Sequence, residues 1–130
     1  MVKLILITHG NLGLSLLETA SVICCCAKQN ITAFSVSGKV NLDEIEKQIR
    51  ESFTENGTLV MVDSFGGTSS NVALKCAAGN DKVSVICGVN LNMVLAALSN
   101  QDKLNLTELA AKVIADGRKA ILEATELMKK

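Results

Sequence analysis

The 130-residue chain lacks tryptophan, tyrosine and proline, and its only aromatic residues are three phenylalanines. Aromatic side chains therefore make up 2% of the chain, which leaves almost no material for platforms that stack nucleic-acid bases or for aromatic cages that bind cations. Without proline, and with short predicted loops, the chain shows no linker between separate units. We expect one domain over residues 1–130, long enough to bury its own core.

The chain also lacks an excess of charge, since thirteen Lys and Arg residues balance thirteen Asp and Glu residues. Proteins that bind nucleic acids or membrane surfaces usually carry a net charge, so neither partner is expected. No apolar run approaches the roughly eighteen residues of a membrane helix, because Glu18 and Lys28 interrupt the longest candidate. The absence of a secretory leader and the odd number of cysteines, five, favour the reducing cytoplasm.

Hydrophobic periodicity predicts strands that alternate with helices. The predicted strands are Leu4–Ile7, Ile31–Val36, Thr58–Val62 and Val83–Cys87. The predicted helices are Asn11–Lys28, Asn41–Phe53, the segment after Gly66–Asn71 as far as Ala78, Met93–Leu98 and Thr107–Met128. Such alternation implies parallel strands and right-handed crossovers, so we predict an α/β fold: a three-layer α/β/α sandwich around a mostly parallel open sheet.

Three residues give local signals for helix ends. Asn41, with Glu44 three positions later, is a variant of the capping box and predicts the start of the second helix. Gly57 is placed to end that helix. Gly117 is expected to weaken the last helix slightly.

Polar segments follow the first, third and fourth predicted strands: Thr8-His9-Gly10, Asp63 and Gly88-Val89-Asn90. In open parallel sheets, ligands bind at the carboxyl ends of the strands, where the strand order reverses. In the flavodoxin-like order the first and third strands are neighbours. His9 and Asp63 are therefore expected to lie side by side.

His9 is the only histidine of the chain. A lone histidine is often structural or merely solvated, but a position at the end of a strand and before Gly10 favours function. Asp63 would accept the proton of one ring nitrogen and leave the other facing outward as a nucleophile. The alternative role for Asp63 is a helix cap or turn residue.

The loop after Asp63 has the composition of an anion site. Gly66 and Gly67 permit a tight turn with inward-facing amides, and Thr68, Ser69 and Ser70 add hydroxyl groups at the start of a helix. A polar loop with an ordinary helix cap remains the alternative.

Other reaction classes lack their motifs. No nucleotide-binding phosphate loop is present, and the residues around Ser64 do not form a hydrolase nucleophile elbow. Cys24, Cys25 and Cys26 are consecutive on a predicted helix and cannot converge on one metal, so we expect structural roles for all five cysteines.

These residues resemble a known family, the mannose-type enzyme IIA of the bacterial sugar phosphotransferase system. The likeness covers nearly the whole chain and depends on three motifs, which are Thr8-His9-Gly10, Val62-Asp63-Ser64-Phe65-Gly66-Gly67-Thr68 with Asn71, and Gly88-Val89-Asn90-Leu91 with Met93. Family members commonly carry proline where this chain has Ser69 and Asn92. The missing first-turn proline removes some preorganisation of the loop.

The resemblance implies that His9 is phosphorylated by the histidine-containing phosphocarrier protein and passes the group to a IIB component for sugar uptake. Asp63 matches the carboxylate partner of that histidine, and Gly66, Gly67, Thr68 and Ser69 fall in the phosphoryl-binding loop. It also implies a homodimer, an antiparallel edge strand, and an association with membrane IIC and IID components without membrane insertion. No cofactor or metal is required for this chemistry.

Two other functions remain open at this point. One is a regulatory module that is phosphorylated on His9 and signals by binding a partner, without a role in transport. The other is a small anion-binding domain in which His9 is inert.

Overall fold

A computed structural model gives the fold and describes residues 1–24 and 30–129. The strands in this part of the chain are β1 (Lys3–Thr8), β2 (Ile31–Ser35), β3 (Thr58–Val62) and β4 (Val83–Cys87). The helices are α1 (Leu12–Cys24), α2 (Leu42–Glu51), α3 (Thr68–Ala77), α4 (Leu91–Asn100), α5 (Leu106–Lys119) and α6 (Ala124–Leu127). The predicted alternation of strands and helices is confirmed.

The four strands form one parallel sheet in the order β2-β1-β3-β4. This is the predicted flavodoxin-like order, in which β1 and β3 are neighbours although a helix, β2 and another helix separate them in sequence. The antiparallel edge strand that the resemblance implies is not present in residues 1–24 and 30–129. Strand β4 is therefore an edge of the sheet in the described structure.

Alternate residues of the central strands point to opposite faces and build two cores. Leu4, Leu6, Leu59 and Met61 pack with residues of α1, α4 and α5 on one face. Ile5, Ile7, Val60 and Val62 pack with residues of α2 and α3 on the other. These side chains are fully buried, so both faces of the sheet are covered and the three-layer arrangement is confirmed.

Two helix ends differ from the prediction. The single helix predicted for Thr107–Met128 is wrong, because α5 ends at Lys119 and only the short α6 follows. The buried face of α5 ends at Gly117, and beyond it Ile121 and Leu122 are 78% and 56% exposed, so no core contact favours further helix there. Gly57 does not end α2 either; it lies six residues beyond Glu51, where its φ of +102° makes the turn into β3.

The remaining local predictions have mixed outcomes. Asn41 caps α2, since its side chain accepts hydrogen bonds from the backbone amides of Asp43 (3.0 Å) and Glu44 (3.3 Å). Cys24, Cys76 and Cys87 pack in or against the two cores. Cys25 and Cys26, together with the predicted end of the first helix at Lys28, lie outside the described residues.

No helix in residues 1–24 and 30–129 is suited by length and apolar character to span a membrane.

Candidate functional site

The parallel pairing of β1 with β3 brings two distant segments to one edge of the sheet. Ile7 is paired in register with Val62, so the residues that follow each strand leave the sheet side by side. His9 follows β1 and Asp63 follows β3, and the two are 54 positions apart in sequence. The sheet register thus places a histidine and a carboxylate at the same rim.

His9 and Asp63 make two hydrogen bonds to one carboxylate oxygen. Nδ1 of the His9 ring lies 2.8 Å from Oδ2 of Asp63, and the backbone amide of His9 donates to the same oxygen at 3.0 Å. The side chain of His9 is 47% exposed, whereas that of Asp63 is 13% exposed. The predicted juxtaposition is confirmed, with the ring open to solvent and its carboxylate partner largely covered.

The second carboxylate oxygen of Asp63 is held from the other side. Oδ1 accepts hydrogen bonds from the Ser69 hydroxyl (2.5 Å) and from the backbone amide of Ser64 (3.1 Å). Burial would raise the pKa of Asp63, but the hydrogen bonds from Ser69 and from the His9 amide and ring outweigh it and lower that pKa to about 2. Asp63 is therefore an anion at neutral pH.

An anionic Asp63 determines which ring nitrogen of His9 is available. A carboxylate only accepts hydrogen bonds, so it favours the tautomer with the proton on Nδ1. Nε2 then carries the lone pair, and no residue in the described part of the chain hydrogen-bonds to it. This arrangement orients Nε2 so that it can act as a nucleophile.

The loop after Asp63 leads directly into α3 beside the His9 ring. Gly66 has a φ of +91°, and its amide donates to the Ser70 hydroxyl (2.8 Å), which in turn donates to the carbonyl of Gly67 (3.1 Å). A Cβ on Gly67 would lie 3.5 Å from Cε1 of His9. The His9 ring therefore lies next to the backbone at the start of α3.

The N-terminus of α3 differs from those of three other helices. Asparagine side chains cap α2, α4 and α5, whereas α3 begins after Gly67 without a side-chain capping bond. The amides of the first turn of a helix have no intrahelical acceptor. At α3 these amides and the positive end of the helix dipole face the side of the molecule where His9 lies, which suits an anion.

The residues predicted for the loop do not all have the predicted placement. Gly66 and Thr68 are exposed and Gly67 is half-buried, and Gly67 lies beside the His9 ring. Ser69 is fully buried and its hydroxyl is bonded to Asp63, so the expectation that this hydroxyl faces a bound anion is not met. Ser69 is the second residue of α3, and its side chain points back toward the end of β3.

In the third polar segment at this rim, Gly88-Val89-Asn90, the asparagine has a structural role. The Asn90 side chain accepts a hydrogen bond from the amide of Met93 (3.0 Å) and donates one to the carbonyl of Gly117 (3.1 Å). It thus caps α4 and ties it to α5. Asn71, which aligns with a family position, is exposed on α3.

One residue of the rim was missed by the sequence analysis. The Ser37 hydroxyl, two residues beyond β2, accepts a hydrogen bond from the amide of Gly10 (2.5 Å). The rule that selected His9 and Asp63 applies equally to the carboxyl end of β2, and it would have selected Ser37. This contact fixes the backbone immediately after His9.

Comparison with known proteins finds one family. The family model EIIA-man, described as "PTS system fructose IIA component", matches residues 3–114. The chain is 28% identical to the PTS system fructose-specific EIIA component of Bacillus subtilis (strain 168), which covers all of this chain and 91% of that protein. It is 29% identical to the PTS system mannose-specific EIIAB component of Escherichia coli (strain K12). This match covers 92% of this chain but only 38% of that protein.

Solved structures with the same fold are similar over almost the whole chain. The phosphotransferase system component EIIA from Streptococcus agalactiae has a TM-score of 0.88 at 21% identity and covers 97% of this chain and 99% of that chain. The mannose/sorbose specific IIA subunit from Enterococcus faecalis has a TM-score of 0.79 at 27% identity, covering 94% and 93%. The region matched by the family model contains His9, Asp63 and the loop that leads into α3.

Proposed function

Because this chain belongs to the EIIA-man family of phosphotransferase system IIA components, we propose that it carries a phosphoryl group on His9 between two proteins. The group arrives from the histidine-containing phosphocarrier protein and leaves to a IIB component, which uses it for sugar uptake and phosphorylation. The observation that carries the proposal is the half-exposed His9 ring. Asp63 holds this ring through Nδ1, and the ring lies beside the start of α3.

The transfer requires an in-line nucleophile and few other chemical groups. The lone pair of Nε2 attacks the phosphorus of the phosphorylated carrier. A P–N bond forms to His9 as the P–N bond to the carrier breaks, and that electron pair returns to the carrier. Asp63 keeps the proton on Nδ1 and stabilises the positive charge that develops on the ring.

The phosphoryl oxygens need hydrogen-bond donors, and the start of α3 supplies them. In this proposal, the backbone amides of Gly67, Thr68 and Ser69 and the Thr68 hydroxyl surround the group. Gly66, whose own amide donates to Ser70, shapes the loop. The positive end of the α3 dipole adds about 0.3–1 kcal/mol of stabilisation for a negative charge at a helix N-terminus. This chemistry needs neither a metal nor a soluble cofactor.

The proposal fixes the partners and the compartment. The carrier and IIB proteins meet His9 in turn at the same rim, and we place the chain in the cytoplasm, where it joins membrane IIC and IID components without entering the bilayer. The Escherichia coli relative is named for an A and a B component together, and this chain corresponds to 38% of it. The sugar does not contact this chain, so the rim does not select it.

We also propose that the chain is a homodimer. Strand β4 pairs only with β3 in the described structure and leaves one edge open. A groove of about 310 Å³ beside it is lined by residues that include Val85, Cys87, Ile114 and Ile121. Exposed strand edges next to apolar surface are normally covered, and a second copy of the chain provides matching apolar residues after α5.

The phosphoryl-carrier function is tested by incubating the chain with phosphoenolpyruvate, enzyme I and the carrier protein. We expect one phosphate per chain that is lost in acid, because phosphohistidine is acid-labile whereas phosphoserine and phosphothreonine are not. The His9→Gln variant, which lacks the only histidine, should gain none. Addition of a IIB component should then discharge the phosphorylated chain.

Two outcomes would contradict the proposal. An unchanged mass in the wild type would exclude the carrier function and the regulatory alternative together. Stable phosphorylation without discharge to any cognate IIB component would instead leave the regulatory role.

A further inference from the structure

Two adjacent serines in the first turn of α3 have different partners. Ser69 and Ser70 are both fully buried, and both hydroxyls are hydrogen-bonded. The Ser70 hydroxyl contacts Gly66 and Gly67 and so holds the loop to its own helix. The Ser69 hydroxyl instead leaves its helix and donates to Oδ1 of Asp63. Only the Ser69 bond reaches the group that orients His9.

We propose that Ser69 is a positioning residue, whose hydroxyl fixes the Asp63 carboxylate so that the other carboxylate oxygen holds Nδ1 of His9. The inference rests on the proposed function for its consequence in catalysis, but its geometric part is independent of that function. Ser69 would act on the nucleophile through Asp63 and would not touch the phosphoryl group with its side chain.

The reason lies in how the carboxylate is held. The carboxylate can rotate about its bond to Cβ. Oδ2 is held by the amide and ring of His9, and a donor to Oδ1 from another element opposes that rotation. Oδ1 has two donors, Ser69 and Ser64. The amide of Ser64 directly follows Asp63 in the chain and moves with it. Ser69 belongs to α3, so its hydroxyl fixes the carboxylate relative to the helix that faces the ring.

The same bond affects the pKa of Asp63 and, through the direction of its carboxylate, the tautomer of His9. A hydroxyl that donates to a carboxylate stabilises its charged form and makes it a weaker base. Asp63 is an anion at neutral pH with or without this bond, so it favours the proton on Nδ1 only while Oδ2 faces that nitrogen. Loss of the Ser69 hydroxyl should therefore disturb both the direction of the ring and its tautomer.

The test compares the Ser69→Ala variant with the wild type by NMR. We expect the pKa of Asp63 to rise by about one unit, which corresponds to one lost hydrogen bond to a charged group. The ¹⁵N spectrum of His9 should change from the Nδ1-protonated tautomer toward a mixture. In the phosphorylation assay, kcat should fall about tenfold with KM for the carrier unchanged, since the carrier contacts the surface and not the buried hydroxyl.

Two controls separate positioning from a general structural effect. Ser21→Ala removes another helical hydroxyl, one bonded to the Leu17 carbonyl on α1, and should leave the Asp63 pKa and the His9 tautomer unchanged. In an Asp63→Ala background, Ser69→Ala should cause no further loss of rate, because a residue that acts through Asp63 has no effect without it.

A readout on the wild type keeps the inference testable if Ser69→Ala does not fold. The Ser69 hydroxyl proton should exchange slowly with water and should show a cross-peak to Asp63. An unchanged Asp63 pKa and tautomer in the variant, additive losses in the double variant, or a freely exchanging hydroxyl in the wild type would overturn the inference. Absence of phosphorylation alone would instead count against the proposed function, since the NMR results do not depend on it.

Discussion

At the scale of single residues, the charge of Asp63 depends on donors from three parts of the chain. The His9 amide and ring, the Ser64 amide and the Ser69 hydroxyl all contact its two oxygens. These contacts exist only in the folded state, so the pKa of Asp63 is about 2 when folded and returns toward 3.8 when the chain unfolds. The carboxylate therefore links the site to the stability of the fold.

This linkage predicts a specific acid sensitivity. A carboxylate whose folded pKa is lowered stabilises the fold above its unfolded pKa, and this contribution is lost as the pH falls through the folded value. We expect the wild type to lose about 1 kcal/mol of unfolding free energy between roughly pH 4 and pH 2 through Asp63, with solvent screening taken into account. Urea unfolding at stepped pH measures it.

The matched variants are Asp63→Asn, which should lack this part of the pH dependence, and Asp102→Asn, which removes an exposed carboxylate and should retain it. Identical pH profiles for the wild type and Asp63→Asn would contradict the contribution assigned to Asp63.

The sequence predicted the pairing of His9 and Asp63 but not the contact of Ser69. The pairing follows from a topological rule, since residues at the carboxyl ends of neighbouring parallel strands must meet. The direction of the Ser69 side chain depends on the angle at which α3 leaves the loop, and composition does not encode that angle. Ser69 therefore looked equivalent to Thr68, although one is buried and the other exposed.

At the scale of elements, α4 and α5 contact each other closely at Gly117. A Cβ at this position would lie 2.4 Å from Cγ of the buried Met93 and 3.5 Å from Nδ2 of Asn90. Helix propensity alone treats glycine as a weak point of α5, as the sequence analysis did. The structure shows that the missing side chain lets α5 approach α4.

We expect Gly117→Ala to destabilise the protein by about 1–2 kcal/mol, because the clash with Met93 exceeds the gain of about 1 kcal/mol in helix propensity. Chemical denaturation measures the change. In a Met93→Ala background the same substitution should be neutral or stabilising, since the obstructing side chain is gone. Stabilisation by Gly117→Ala in the wild-type background would show that Met93 moves aside at little cost.

The helix ends show where sequence patterns stop being informative. Asn41 was predicted as a cap because its bonding partners are local and lie within three residues. The end of α5 was not predicted, because Ile121 and Leu122 continue an apolar pattern that reaches no core of the same chain. Their positions become understandable only when the extent of the sheet is known.

At the scale of the whole molecule, a group of exposed apolar side chains follows the end of α5. Ile121, Leu122, Leu127 and Met128 are between 56% and 81% exposed. Ile121 also lines the groove beside the open edge of β4. This surface is the basis for the proposed homodimer.

We expect the wild type to sediment at twice the mass of one chain and Ile121→Glu to shift it toward the monomer, because a charge on this surface opposes its burial. Analytical ultracentrifugation measures the mass. Leu42→Glu places the same charge on an exposed leucine of α2, away from the β4 edge, and should remain dimeric. A wild type that sediments as a single chain would refute the homodimer.

In the proposed function, the start of α3 affects the energetics of phosphoryl transfer. The asparagine-capped helices α2, α4 and α5 carry their own terminal acceptors permanently, whereas α3 would obtain one only while His9 is phosphorylated. The strength with which these amides bind the phosphoryl group then contributes to its transfer potential. Stronger donors would stabilise the phosphorylated chain and slow the transfer, and weaker donors would leave the group more open to hydrolysis. In the proposed function, the helix end after Gly67 thus sets how readily the chain passes on its phosphoryl group.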